Sequence, residues 1–443
     1  MRISSVIGQA RAFIGNEKGS FAVMSAAIMA VLTMSAGFAI NIAQLHNVRS
    51  NLGQALDAAV TSTARDITTG KIEAKDARDR VELFLSVNTD GDMIAGDRLV
   101  LDKLVIDKTN STVEATAYVD VDLYFPLFGL SDTRRVSNAS AAVYSDKKIE
   151  VAMMLDVTGS MGGKKIKDLK SAANNALDAF LAGQDKTKPR VRVAIVPYAN
   201  AVNTGALSNV VFAEKTYTAI DVEPPALYDP IAVAASLLKA PDKCATERKG
   251  TQQFTNAGPD VAKVNRDYRL DFCPNAVLQP LSADIGALKS TVSSFSANGY
   301  TGGHIGIQWT WYMLSNSWKD VLPKDAQPLA YDKKKVAKYA ILMTDGEFNT
   351  AYAGVSIKGN PTNQASLSRS NAERLCDAMR KDGIEIFSVG FQLKEAGAKG
   401  VMKNCANTDT SSIRHYYEAS TGDELNQAFL EIAHNIERLA ITK

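Results

Sequence analysis

Three short stretches of this 443-residue chain carry side chains suited to holding a hard metal cation. The first is Met154-Leu-Asp-Val-Thr-Gly-Ser-Met161, where an apolar run ends in Asp156 and Thr158 and Ser160 follow at alternate positions. One carboxylate and two hydroxyls on a tight loop offer only oxygen, the donor that Mg²⁺ prefers in an octahedral shell that keeps several waters. The second stretch is Gly299-Tyr-Thr-Gly-Gly303. Its glycines let the chain turn tightly beside a ligand, and Thr301 adds a hydroxyl. The third is Ala340-Ile-Leu-Met-Thr-Asp-Gly346, a buried-type strand ending in Asp345, with Gly346 permitting a sharp exit.

These groups can converge only if strands deliver them to one edge of a sheet. Short continuous apolar runs at residues 149–155, 191–196, 338–343 and 384–391 read as strands. Helical spacing predicts helices over 166–181, 305–314, 367–381 and 423–439. Strands of this kind alternating with helices imply a mostly parallel sheet covered on both faces, a doubly wound α/β fold. In such a sheet the loops after the strand C-termini form the binding crevice. Between about 203 and 281 the alternation fails, and prolines and two cysteines accumulate, so this stretch reads as an insertion. A loop of that length needs its own structure or a staple, which Cys244 and Cys273 can supply. Four cysteines allow three pairings.

Residues 19–48 hold no charged side chain, and 21–45 are mostly apolar, which is long enough to span a hydrocarbon core. Arg2, Arg11 and Lys18 lie before it against Glu17 alone, so the positive-inside rule keeps the N-terminus in the cytoplasm and exports the rest. Exported cysteines meet an oxidising compartment, which agrees with two disulfides. After the span, helical spacing continues to about residue 67. A helix is predicted over 74–86 and strands over 99–106, 112–124 and 136–144. Consecutive strands suggest a small antiparallel sheet, a pilin-like α+β region.

Composition excludes several classes. The chain is 46% hydrophobic and 22% charged with a net charge of +2, and it shows no clustered basic face for nucleic acid. Gly159 to Lys164 resembles a phosphate loop but has Lys165 where Ser or Thr is required, so nucleotide binding is not expected. His304, beside the glycine turn, reads as an incidental loop residue, and Glu347 as a solvated one. Without a paired nucleophile an enzyme is not expected. The bland alternative for the aspartates and hydroxyls is helix capping. Trp309, Trp311, Tyr312 and Trp318 read as core or as packing between a helix and the insertion.

The three loops together resemble the von Willebrand factor type A family, whose metal-ion-dependent adhesion site uses an Asp-x-Ser/Thr-x-Ser loop, a distant Thr and a distant Asp. The resemblance covers about residues 148–443, a Rossmann-like doubly wound domain interrupted by the insertion. It implies that Asp156, Thr158, Ser160, Thr301 and Asp345 hold Mg²⁺, with Mn²⁺ or Ca²⁺ as alternatives. By the same resemblance Ser160 and Thr301 ligate directly and the aspartates act through water. An acidic side chain of a protein partner or water takes the last position. In that fold Cys376, on the helix after Asp345, and Cys405, after the next strand, sit on neighbouring units and form the natural second bridge.

Residues 15–67, with Asn16-Glu-Lys-Gly-Ser-Phe-Ala-Val and the later Ala-Ile-Asn-Ile-Ala-Gln-Leu, resemble the N-terminus of TadE/TadG-like proteins of the tight-adherence (Flp) pilus-assembly systems. The implied organisation is a cytoplasmic segment 1–18, a transmembrane helix 19–48, a small α+β region 68–147 and the von Willebrand A domain. The protein would sit in the bacterial cell membrane by a single pass, with its main domain periplasmic or extracellular and its partners among pilus-assembly or envelope proteins. Met24 stands at the fifth position after Gly19, where pilins carry Glu, so the apolar stretch is expected to remain as an anchor. A metal-dependent hydrolase using Glu347 or His304 as base, and a metal-free structural pilus component, are the alternative readings.

Overall fold

The computed structural model describes residues 18–68, 71–88, 99–107, 111–125, 133–145, 147–182, 184, 189–211, 242–267, 269–356 and 358–442. The charges flanking the span at Arg2, Arg11 and Glu17, and the middle of the insertion from 212 to 241, lie outside them. The chain divides into two compact units, Met1–Asp66 with Glu73–Tyr144, and Ile67–Ile72 with Ser145–Lys443.

The first unit is built on one long helix, α1 (Lys18–Thr68). Its first half exposes Val23, Met24, Ile28, Met29, Val31 and Leu32, side chains that water does not favour and a hydrocarbon layer does. Among the described residues it is the one helix long and apolar enough to cross a membrane. In its second half Val48, Leu52, Leu56 and Val60 recur at helical spacing and are buried. A second helix, α2 (Ala77–Asn88), precedes strands β1 (Leu99–Asp107), β2 (Thr112–Asp122) and β3 (Thr133–Val143). They form an antiparallel sheet in the order β1-β2-β3. In the central strand Val113, Ala115, Ala117, Val119 and Val121 are buried, the period of two that gives a sheet one dry face. Asn138 Nδ2 donates to the Arg49 carbonyl at 3.3 Å, tying sheet to helix.

The second unit is a mixed α/β layer structure. Its elements are β4 (Lys148–Asp156), α3 (Lys164–Leu181), β5 (Val191–Tyr198), β6 (Val202–Asn203), β7 (Cys244–Ala245), β8 (Gln279–Ser282), α4 (Ile285–Ser293), α5 (Gly303–Leu314), β9 (Val336–Thr344), α6 (Ala365–Lys381), β10 (Glu385–Phe391), α7 (Ala396–Cys405), β11 (Tyr416–Ala419) and α8 (Gly422–Thr442). The main sheet has six strands in the order β11-β10-β9-β4-β5-β8. All neighbours are parallel except β8, which runs antiparallel to β5. Alternate residues of one strand feed opposite cores. Ala152 and Met154 pack with α5, α6 and α7, while Val151, Met153 and Leu155 pack with α3, α4 and α8. A strand buried on both faces therefore has no polar side to show, which is why β4, β5 and β9 read as unbroken apolar runs. On α3 the buried residues Leu169, Ala172, Ala173, Ala176, Leu177 and Phe180 trace a single stripe.

Several elements differ from the sequence expectation. The insertion returns one strand, β8, to the main sheet, and α4, α7 and β11 are additional elements. His304 is not a loop residue: it lies in the first turn of α5, 1% exposed. Gly302 is the N-cap and Gly303 the first residue of that helix, and a Cβ at Gly303 would stand 2.3 Å from the Phe348 ring. Glu347 is ion-paired with Arg369 rather than solvated. The aromatic cluster packs helix against insertion: Tyr312 stacks on Trp318 with ring centroids 4.2 Å apart, and the Arg248 guanidinium lies 4.9 Å from the Tyr312 centroid.

The four cysteines form two disulfides, Cys244–Cys273 within the insertion and Cys376–Cys405 between α6 and α7. Each bridges a sequence separation of 29. Loops of that size lose about 3–4 kcal/mol of unfolded-chain entropy on closure in the chain-entropy picture. A Cys244→Ser/Cys273→Ser double variant is therefore expected to lower the urea midpoint of the second unit by a corresponding amount. An unchanged midpoint would show that the hydrogen bonds and aromatic packing of the insertion suffice without the bridge.

Candidate metal centre

The strand order reverses at β4: the chain goes first to β5 on one side and later to β9 on the other. Parallel neighbours end at the same edge of a sheet, so this crossover opens a crevice there. Asp156 is the last residue of β4, and Asp345 directly follows β9. The register that pairs Met154 with Leu342 carries both aspartates to the same rim.

Asp156 is fully buried. Its Oδ1 accepts the Thr158 N–H at 2.8 Å, which folds the loop back over the carboxylate. Its Oδ2 accepts the Tyr198 hydroxyl at 2.9 Å and the Thr344 hydroxyl at 2.8 Å, from the neighbouring strands on either side. A short chain of groups runs from this loop to the other aspartate. Thr158 Oγ1 lies 3.0 Å from Ser160 Oγ, and Ser160 Oγ donates to Asp345 Oδ1 at 2.5 Å. The second oxygen of Asp345 accepts from the Lys165 ammonium at 2.7 Å. Thr158 and Asp345 are buried, whereas Ser160 is exposed, so the mouth of the site opens at Ser160.

Thr301 belongs to the same rim. Its loop is bonded to the first by Gly159 N–H to Gly299 O at 2.9 Å and by Asn298 N–H to Val157 O at 3.0 Å. It is bonded to the third by Thr301 N–H to Asn349 Oδ1 at 2.9 Å, and its carbonyl accepts the N–H groups of Asn349 and Thr350. Gly299 has φ +84, a conformation L side chains rarely adopt, and an added Cβ would meet Asn200 Oδ1 at 2.4 Å. Gly346, by contrast, has no left-handed backbone; a Cβ there would make only ordinary contact with Ser160 Oγ, at 3.5 Å. The structure thus brings the Asp156, Thr301 and Asp345 loops together. Thr158 makes no side-chain cap bond to the short turn it precedes, and the residue before α3 is Gly163, so no hydroxyl is used as a helix cap there.

The electrostatics favour a positive guest. Burial, and then the neighbouring Asp345 charge, push the Asp156 carboxyl up to about 6. The nearby Asp345 charge thus adds to the cost of ionising the buried Asp156, and a cation removes that cost. Burial and the same Asp156 charge also push the Tyr198 hydroxyl well above its ordinary value. The available donors, two carboxylates and the hydroxyls of Thr158, Ser160 and Thr301, are all hard oxygens and fit Mg²⁺ or a similar ion. Asp242, Cys244 and Cys273 also lie close together, but the cysteines are joined as a disulfide and offer no thiolate.

Four residues of this rim carry no signal in the spacing that singled out the others. Tyr198 and Thr344 reach Asp156 only through strand register. Asn200 accepts the Tyr300 N–H and Asn349 accepts the Thr301 N–H, fixing the glycine loop from both sides. Asn near strand ends is so common in turns that only the pairing reveals Asn200 and Asn349.

No family model matches the chain, and no curated protein matches it. Among solved structures it is similar to the pilus adhesin SpaC from Lactobacillus rhamnosus GG, at 13% identity over 77% of this chain and 35% of that one, with a TM-score of 0.38. It is similar to the vWF domain of the type V pili tip protein Mfa5 from Porphyromonas gingivalis, at 12% identity over 67% of this chain and 97% of that one, with a TM-score of 0.38. It is also similar to proximal thread matrix protein 1 from the mussel byssus, in a structure with a zinc occupied MIDAS motif, at 15% identity over 67% of this chain and 46% of that one, with a TM-score of 0.31. The chain therefore spans about a third of the length of the SpaC chain.

Proposed function

We propose that this chain is a membrane-anchored, exported protein of the von Willebrand A kind. In this reading Asp156, Thr158, Ser160, Thr301 and Asp345 hold a divalent ion, Mg²⁺ in the first instance, and a protein partner lends an acidic side chain to its shell. The observation that carries the reading is the unbroken path Thr158–Ser160–Asp345 beside the buried Asp156, at the point where the strand order reverses. The ion, when bound, supplies the positive charge that fixes both the two aspartates and an incoming carboxylate. Binding rather than hydrolysis is supported by the surroundings of the two candidate bases. Glu347 is ion-paired with Arg369, and His304 Nδ1 lies 2.9 Å from the buried Ser368 hydroxyl.

The pilus-assembly setting, and membership of the TadG-like group, rest on the resemblance of residues 15–67. The apolar first half of α1 supports anchoring in the cell membrane. A ligand that binds only the folded state stabilises it, by about 2.7 kcal/mol at a hundred times its Kd. Addition of Mg²⁺ to the chelator-treated protein is therefore expected to raise its Tm and to allow capture of an envelope partner, and chelator is expected to reverse both. A Tm unmoved by millimolar Mg²⁺, Mn²⁺ and Ca²⁺ would remove the metal from this reading and leave a structural pilus component.

A further inference from the structure

We propose that Lys165 is a tethered counter-ion of the metal centre: its ammonium competes with a divalent ion for the Asp345 carboxylate, and so sets the ion concentration at which the site loads. This inference rests on the metal-binding reading above and concerns its regulation.

Lys165 is the second residue of α3. A helix N-terminus carries partial positive charge and favours acidic side chains, yet the first turn of α3 has none and holds Lys164, Lys165 and Lys167 instead. Lys164 and Lys167 are exposed. Lys165 is turned inward, its side chain 24% exposed, and its Nζ lies 2.7 Å from Oδ2 of Asp345, whose side chain is 0% exposed. The helix dipole does not explain a cation there; the carboxylate does. Oδ1 of the same carboxylate is engaged by Ser160, so the two oxygens of Asp345 are held by one hydroxyl and one ammonium.

Two consequences follow from charge alone. Without Lys165, Asp345 would face the buried Asp156 with no countercharge on its own side chain. With it, an arriving divalent ion meets a positive charge already seated on one of its ligands. The ion must displace the ammonium or tolerate it at short range, and either lowers its affinity.

The test is Mg²⁺ titration calorimetry on the full-length protein in detergent, with wild type, Lys165→Met and Lys165→Arg, and Tm measured in chelator. Removing one positive charge a few ångströms from a divalent ion is expected to tighten Mg²⁺ binding about tenfold in Lys165→Met. The same variant should melt lower in chelator, because its carboxylates have lost their countercharge, and should gain more from Mg²⁺. A guanidinium grips a carboxylate with two parallel bonds, so Lys165→Arg should bind Mg²⁺ more weakly than wild type. Equal or weaker Mg²⁺ binding by Lys165→Met, with clear binding by wild type, overturns the counter-ion role and leaves the metal site standing. Should Lys165→Met not fold, tighter binding by Lys165→Arg overturns it equally. Absence of binding in all three overturns the metal site itself and this role with it.

Discussion

On the metal-binding reading, an Asp156→Ala variant is expected to show no Mg²⁺ binding at millimolar concentrations that load the wild-type chain, while keeping its fold. The loss should be near complete because Asp156 is at once a charge for the ion and the hub of the rim. It accepts from Thr158, Tyr198 and Thr344, three residues on three different elements. Removing it leaves those donors buried without an acceptor, at roughly 1–3 kcal/mol for each that finds none. The fold survives because a second large term has the opposite sign. The carboxyl is costly to bury, as its rise to about 6 shows, and alanine removes that cost. Asp156→Asn isolates the charge, since it keeps the size of the side chain. Its Mg²⁺ affinity should fall at least tenfold with a smaller change in Tm. Equal heats of Mg²⁺ binding by wild type and Asp156→Ala would show that the ion binds elsewhere.

The second large effect is expected at Glu247, which the sequence offered no reason to notice. This carboxylate of the insertion is 1% exposed. Its Oε1 accepts the N–H groups of Tyr352 and Ala353, at 2.7 and 2.6 Å, and lies 3.4 Å from His304 Nε2. One side chain thus clamps the insertion to the segment following Asp345 and to the helix following Thr301. Burial pushes its carboxyl up, but His304 and the two N–H groups outweigh burial and hold it below the ordinary Glu value. Glu247→Ala removes the acceptor from a buried cluster and is expected to cost about 3–5 kcal/mol, read as a lower urea midpoint. The sign with pH follows from the lowered value. A carboxylate depressed in the folded state stabilises above its unfolded pKa and loses that contribution as pH falls through its folded one. The gap between wild type and Glu247→Ala should therefore be widest near neutral pH and shrink in acid. A gap that is small at pH 7, or that grows in acid, would rule out the clamp.

Much of the second unit was legible because its strands are short, apolar and buried on both faces, and its long helices carry clear stripes. The runs around Val151, Val193 and Ile341 could belong to little else. Two of the missing pieces had no room for a pattern. The strands β8 and β11 have four residues each, too few to show a period, and β8 contains Pro280, which suits only a sheet edge. The grouping of Asp156, Thr158 and Ser160 was legible because they crowd one loop. Lys165 was visible only as the residue that spoils a phosphate loop, and its partner lies far along the chain at Asp345. Tyr198, Thr344 and Glu247 act through strand register and insertion packing, which no local spacing encodes. His304 looked like a loop residue because two glycines precede it; in fact they let the helix start close against Phe348.

The edge strand β8 has a bearing on how the chain reaches its native state. It covers the outer side of β5, and it is made only after the whole insertion has been laid down. Until then β5 presents a row of unpaired amides, a template on which a second chain could add a strand. Such exposure is a known route to aggregation during folding. Folding that paused with the insertion unfinished would leave the domain sticky. The Cys244–Cys273 bridge, once closed, shortens the loop that must then find the edge. Refolding with the bridge blocked should therefore lose more of the chain to aggregates than refolding with it closed.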